Sequence, residues 1–405
     1  AIGCGAGILT SWILVARKLR VQTERLGALT LPDYFEARYR DDSHLLRIVS
    51  MAVIVFFFTF YVSAQFLAAG KVLNTTFGLE PITGMLIGAA IIIFYTIMGG
   101  FLAVAWTDLV QGILMAGAML LLPLAAWTEL GGISGVASKI GAMDPDLLLV
   151  TGGQTGRPLI MGLVIGSLGI GLGYVGQPHL LTRFMAIRRA NDLRKGTLIA
   201  MSWVVVAFWG AVLVGIAGLA HFGVGGLEDA EHVMPQVATL FLPAGIAGVI
   251  ISAAIAAMMS TADSQLLVAT SALSEDIYHQ LVNRDAPQRR LVAISRIGTV
   301  VIGVVAFVLA LRAEEQVYWF VLYAWAGLGA AFGPAMVLSL WWRRTTKWGV
   351  FAGMLTGSAV AVLWHNVAAL KDFVYELVPA FVFALVAVVV VSLLTAPPVD
   401  VDISD

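Results

Sequence analysis

Within an apolar stretch that begins near Ile246, the run Ala257-Met258-Met259-Ser260-Thr261-Ala262-Asp263-Ser264 gathers hydroxyls and a carboxylate. Polar groups are costly in hydrocarbon, so they face a cavity, a partner group or an ion. On a helix, Ala257, Ser260, Thr261 and Ser264 fall at i, i+3, i+4 and i+7, which is one face. That face offers hydroxyl oxygens and, where the helix loosens, a backbone carbonyl. Oxygens of this kind are the ligands that a hard cation such as sodium takes. The structural alternative is that Ser and Thr bond back to the preceding turn or join two helices.

A second irregular segment reads Gly166-Ser167-Leu168-Gly169-Ile170-Gly171-Leu172-Gly173-Tyr174-Val175-Gly176-Gln177-Pro178. Its density of glycine, closed by proline, does not support an ordinary rigid helix. At membrane depth such a break persists only where protein or a water-filled cavity satisfies the freed backbone, and in transporters it forms binding sites. Tyr174 and Gln177 bring an aromatic wall and hydrogen-bonding groups to it. The alternative is close helix packing through small residues. Asp108, after Trp106-Thr107 at the junction of two apolar stretches, reads equally as a helix N-cap and as a functional carboxylate.

Gly171 to Gly176 formally matches G-x-G-x-x-G, but no strand precedes it and no βαβ unit surrounds it. The chain has no Walker lysine motif and no G-x-S-x-G, so pump and hydrolase chemistry lack their residues. The six histidines show no ligand spacing, and one cysteine, Cys4, excludes an intrachain disulfide. No nucleic-acid partner and no obligate protein partner is inferred.

The elements that must position these groups are membrane spans. The chain is 60% hydrophobic and 12% charged, with a mean hydropathy of +0.91, whereas soluble domains carry about 25% charged residues. A crossing helix needs about 20 apolar residues. Eleven stretches meet this, near 1–16, 46–70, 83–106, 108–127, 158–178, 197–222, 246–270, 291–311, 317–341, 348–366 and 375–395. All of the 24 basic residues except Lys71, Lys139, Arg157, Arg312 and Lys371 lie on one side of these crossings or at the adjoining helix ends. The positive-inside rule makes that side cytoplasmic, and with it the tail Val399 to Asp405. The chain opens with Ala inside an apolar stretch, without a visible signal peptide, and reads as a piece whose N-terminus is missing.

Several ordered motifs resemble the sodium/solute symporter family over nearly the whole chain. They are Ala28-Leu29-Thr30-Leu31-Pro32-Asp33-Tyr34-Phe35, Tyr95 to Val104 with Gly99-Gly100 running into Trp106-Thr107-Asp108, and Gly171-Leu172-Gly173-Tyr174 with Gly176-Gln177-Pro178-His179. Met259-Ser260-Thr261 follows, then Tyr323-Ala324-Trp325-Ala326-Gly327 running to Phe332-Gly333-Pro334. The Gly-Gly motif is family-wide, while the Gly-Gln-Pro-His segment and the last motif are similar to the branch that carries proline.

The resemblance implies an all-α polytopic membrane protein with a LeuT-like core of two inverted five-helix repeats plus extra C-terminal helices. It implies a single transporter domain over residues 1–405 that starts at the second core helix and lacks the first. It implies sodium as the coupling ion and a small zwitterion, proline, as the solute, carried across a bacterial cytoplasmic membrane. On this reading the Ala257 carbonyl, Ser260 and Thr261 form the eighth-core-helix half of the sodium site, and Asp108 is an acid linked to sodium coupling. Members with a second sodium site have serines at the positions of Ser260, Asp263 and Ser264, and here Asp263 stands in place of a serine. Tyr61 and Tyr174 match aromatic positions around bound proline, with Gly171, Gln177 and Pro178 beside them. Ile170 stands where the proline branch usually has tryptophan. The rival readings are another solute, such as pantothenate or another amino or carboxylic acid, and a transporter-like sensory input module.

Overall fold

In the computed structural model, residues 1–313 and 316–397 are described; the tail from Val399 to Asp405 lies outside them. Among the described residues, eleven helices are long and apolar enough to cross a membrane. They are α1 (Ile2–Leu26), α2 (Leu45–Phe77), α3 (Pro81–Gly99), α4 (Phe101–Glu129), α5 (Pro158–Gly176), α6 (Ala190–Phe222), α7 (Ala244–Val282), α8 (Gln288–Leu311), α9 (Val317–Trp341), α10 (Lys347–Asn366) and α11 (Leu377–Leu394). Short helices Leu31–Tyr39, Gly132–Met143, Pro178–Ala186 and Val233–Phe241 lie between them.

The spans match the eleven expected stretches, with one instructive shift. The boundary between α3 and α4 falls at Gly100, whose φ of 90° and ψ of 174° suit glycine alone. Asp108 therefore sits inside α4, beyond its first turn, and is not an N-cap. The expected junction at 106–108 is corrected for that reason: the chain turns where glycine permits it, not where the carboxylate stands.

Helix α9 is the axis of the bundle, buried along its length from Leu322 to Leu340. It packs against α2, α5, α10 and α11. Its contact with α5 explains the glycines there. A methyl group at Gly173 would meet the Trp325 indole nitrogen at 2.1 Å, and one at Gly176 would meet the Gly333 amide nitrogen at 2.4 Å. Helix α5 tightens into a 3₁₀ coil over Ile170–Gly176. The chain then extends at Gln177 and restarts as a helix at Pro178, in the position proline favours.

The arginine-rich end is tied by ion pairs. Arg47, 3% exposed, reaches Asp33 at 2.7 Å, Glu36 at 2.7 Å and Asp276 at 2.6 Å. It thereby joins α2, the helix Leu31–Tyr39 and the end of α7. Burial by itself raises the Glu36 carboxyl, but hydrogen bonds from Arg47 and His44 outweigh it and hold it below its ordinary range. At the opposite end Lys71 bonds Asp229 at 2.7 Å and Glu231 at 2.5 Å. Glu231 also accepts from the Val317 and Tyr318 amides at the start of α9.

Candidate ion and solute site

Helix α7 places Ser260 and Thr261 one turn after Ala257. Ser260 Oγ lies 3.0 Å and Thr261 Oγ1 2.9 Å from the Ala257 carbonyl oxygen. Each hydroxyl donates back to the preceding turn, as the structural alternative has it. The same geometry also draws three oxygens from one helix face into a cluster. Ser260 and Thr261 border a cavity of about 850 Å³ shared with Tyr61, Asp108, Tyr174, His179, Arg183 and Ser264. Ala257 and Thr261 border a second cavity of about 460 Å³, which also meets Tyr61 and Gln65. The three-oxygen cluster has the donor chemistry that an alkali cation takes.

Asp108, from α4, pairs through Oδ2 with Arg183 of the helix Pro178–Ala186. The same guanidinium nitrogen donates to Ser264 Oγ at 2.6 Å. Ser264 donates in turn to the Ser260 carbonyl at 2.7 Å. Asp108 Oδ1 is buried without a hydrogen-bond partner. Three helices thus meet at one polar node on the cavity wall.

Asp263 is fully buried and turns the other way. It accepts from the Tyr95 hydroxyl of α3, which also lies 3.0 Å from the Met259 carbonyl oxygen. It lines none of the described cavities and reaches the polar node only through Ser264 Oγ, 3.2 Å from its Oδ1. Asp263 is one residue before Ser264, about 100° round the helix, and in this structure faces Tyr95 of α3.

Tyr61 and Tyr174 both line the larger cavity. Tyr174 packs edge-on against Trp325, centroids 4.6 Å apart. The other expected solute residues do not reach it. Gln177 is fully buried and donates to the Trp325 carbonyl at 3.0 Å. Ile170 gives its carbonyl to the Trp325 indole N–H at 3.1 Å. Gly171 is pressed against Gly3 and Gly7 of α1, and Pro178 is buried at the start of its helix. In this structure Ile170, Gly171 and Gln177 pack against α1 and α9.

Sequence reasoning missed Tyr95, His179 and Arg183 as site residues. Arg183 entered only as a topological charge. The available signal was its place one helical turn past a glycine-broken span, beside an apolar wall. Tyr95 carries no such signal, since nothing local points its hydroxyl at Asp263.

The family model for the sodium:solute symporter family matches residues 1–357. The high-affinity proline transporter PutP of Bacillus subtilis (strain 168) is 41% identical over 400 residues, covering 98% of this chain and 83% of that protein. The sodium/proline symporter of Escherichia coli (strain K12) is 40% identical over 408 residues, covering 98% and 79% respectively. A Na+-coupled sialic acid symporter, solved in a substrate-bound outward-open state, superposes with a TM-score of 0.78 over 98% of this chain and 84% of its own, at 20% identity. That last likeness is one of fold, and the fold is the LeuT-like helical bundle. With a family model spanning most of its length and relatives near 40% identity, this multi-pass membrane protein belongs to the sodium:solute symporter family, a transporter rather than an enzyme, with sodium as the coupling ion.

Proposed function

We propose that the protein takes up L-proline across a bacterial cytoplasmic membrane, coupled to sodium, by alternating access. The observation that carries the ion half is the convergence of the Ala257 carbonyl, Ser260 Oγ and Thr261 Oγ1, with Ser260 and Thr261 on the wall of the larger cavity and Ala257 and Thr261 on that of the smaller. The solute half is supported by the likeness to proline transporters of Bacillus subtilis and Escherichia coli and by two tyrosines on the wall of the larger cavity.

In this reading sodium binds first, at the α7 oxygens, and orders the cavity for a small zwitterion. Tyr61 and Tyr174 face the solute. The polar node of Asp108, Arg183 and Ser264 holds α4, α7 and the helix Pro178–Ala186 in register while the core rocks. The arginine-rich end, and the C-terminal tail with it, is assigned to the cytoplasm. Inward sodium movement supplies about 2.3 kcal/mol per charge per 100 mV.

The test is uptake of labelled proline into proteoliposomes under an imposed sodium gradient, with competition by a panel of amino and carboxylic acids. Sodium-driven uptake with proline as the strongest competitor is expected. Uptake without sodium, or stronger competition by pantothenate or another acid, refutes the ion or the solute respectively. Sodium and proline must raise each other's affinity by the same factor.

A further inference from the structure

At the end of the bundle opposite the arginine-rich one lies a cavity of about 950 Å³. Its walls are the start of α5, the start of α9, the end of α10 and the segment that leads into α11. None of its lining residues borders the ion and solute cavities. Opposite charges face into it. Arg157, just before α5, lays its guanidinium over the Phe373 ring, 4.6 Å from the centroid, and pairs with no carboxylate among the described residues. Glu376, 5% exposed, lies 3.2 Å from His365 Nδ1. Phe373 and Glu376 are three residues apart, a reach of about 11 Å at most, so guanidinium and carboxylate share one chamber. Trp319, Phe373 and Tyr375 bring aromatic faces to it.

The floor of the cavity leads towards the solute wall. Gly166 and Ser167 border it, and one turn further α5 becomes the coil that carries Tyr174. Tyr375 donates its hydroxyl to the Leu322 carbonyl at 2.8 Å, one turn before Trp325 on α9. Trp325 in turn bonds the Ile170 carbonyl and packs on Tyr174. Its ring thus lies on the way from this cavity to the tyrosine of the solute cavity.

We propose that this cavity is an external capture site for an amino-acid zwitterion. Arg157 takes the carboxylate, Glu376 with His365 takes the ammonium, and the aromatic faces take the ring or apolar side chain. The inference rests on the solute class of the transport reading and adds a second place where that class binds. A guanidinium without an acid partner offers a carboxylate two parallel N–H donors. The charged side chains on the wall are Arg157 and Lys371 against Asp372 and Glu376, which balance with His365 neutral. Such a wall favours neither a plain anion nor a plain amine, and it matches a molecule that carries both charges. The volume falls within the roughly 300–1,000 Å³ of small-molecule sites. No ion oxygen of α7 borders the cavity, so binding here needs no sodium.

The experiment places cysteine at Ala369, an exposed wall residue outside the proposed ligand set, in the protein carrying Cys4→Ala. A neutral methanethiosulfonate is applied from the side opposite the arginine-rich end, in choline without sodium. Proline is expected to slow the labelling. Arg157→Gln is expected to raise the half-protecting proline concentration about 10- to 100-fold, the range of a lost hydrogen bond to a charged group. Prolinamide, which keeps the amine and lacks the carboxylate, is expected to protect as poorly in the parent as in Arg157→Gln. No protection by proline, protection only when sodium is present, prolinamide equal to proline, or an unshifted concentration in Arg157→Gln overturns the site. Should Ala369→Cys fail to accumulate, Gln316→Cys, exposed on the same wall, takes its place. Sodium-driven proline uptake is measured on the same preparations. Its absence from the unlabelled parent refutes the functional reading, and this inference with it. Its presence leaves the labelling result to bear on the capture site alone.

Discussion

Arg183 pairs with Asp108 across two helices, and the guanidinium nitrogen that makes the pair also holds Ser264 of α7. A carboxylate 17% exposed and a guanidinium 36% exposed are each costly to leave alone at this depth. The ion partner of Asp108 in this structure is thus a side chain, and that fixes the relative position of α4, α7 and the helix Pro178–Ala186.

The pair predicts a strongly non-additive double-mutant cycle. Asp108→Asn or Arg183→Gln alone strands one partner and is expected to destabilise by about 1–3 kcal/mol, below the full cost of a buried pair because Arg183 reaches solvent. The double variant is expected to recover at least about 0.5 kcal/mol relative to the sum. Thermal denaturation of the purified protein in detergent measures this. Additive effects contradict the coupling.

Ser260→Ala and Thr261→Ala each remove one oxygen of the proposed ion cluster. The half-saturating external sodium concentration is expected to rise about 10- to 100-fold in each, the range of a lost bond to a charged group. Ser252, which bonds back to the Gly248 carbonyl from an exposed position on the same helix, serves as the control, and Ser252→Ala is expected to leave it unchanged. Sodium titration of proline uptake decides the matter, and unshifted curves for both variants refute the ligand assignment.

Gly176→Ala forces a methyl group to 2.4 Å from the Gly333 nitrogen and 2.8 Å from the Gly329 carbonyl oxygen. Both are backbone atoms of the central helix and cannot swing aside. A loss of about 1–3 kcal/mol or more is expected, read as a lower melting temperature. By contrast Gly162→Ala, with open space around it, is expected to be near neutral.

Asp41 links the loop before α2 to Lys347 at 2.9 Å. Burial alone raises its carboxyl, but hydrogen bonds from Ser43, the Leu46 amide and Lys347 prevail and hold it below 3.8. A lowered folded-state value contributes stability that is present above pH 3.8 and is lost as pH falls through the folded value. Asp41→Asn is therefore expected to melt lower than the parent at pH 7. The gap between them closes below a pH of about 4. A gap independent of pH contradicts the linkage.

Glu231 caps the start of α9 and also binds Lys71. Lys71→Met is expected to cost under about 1 kcal/mol and to matter less at high salt. Glu231→Ala strands two helix-terminal amides as well and is expected to cost about 1–2 kcal/mol. Melting curves at low and high salt separate the two contributions.

Much of the fold was legible without coordinates. Length and apolarity give the eleven crossings, because a span is a local property set by hydrocarbon thickness. Alternation of four and three along α7 likewise puts Ala257, Ser260, Thr261 and Ser264 on one face before any partner is known. The glycine-rich part of α5 was legible as irregular. Its purpose was not, because small residues serve close packing and solute contact equally well.

The sequence by itself therefore determined the helices, the face of α7 that carries hydroxyls and the end of the bundle that carries arginine. Only the tertiary structure decided that Gln177 turns to Trp325, that Asp263 turns to Tyr95 and that Arg183 spans to Asp108. The physical reason is that hydropathy and helical periodicity act within one segment. Between segments in lipid, apolar faces are nearly interchangeable. Partners are then chosen by how small residues let particular backbones approach and by which polar groups that approach brings within reach.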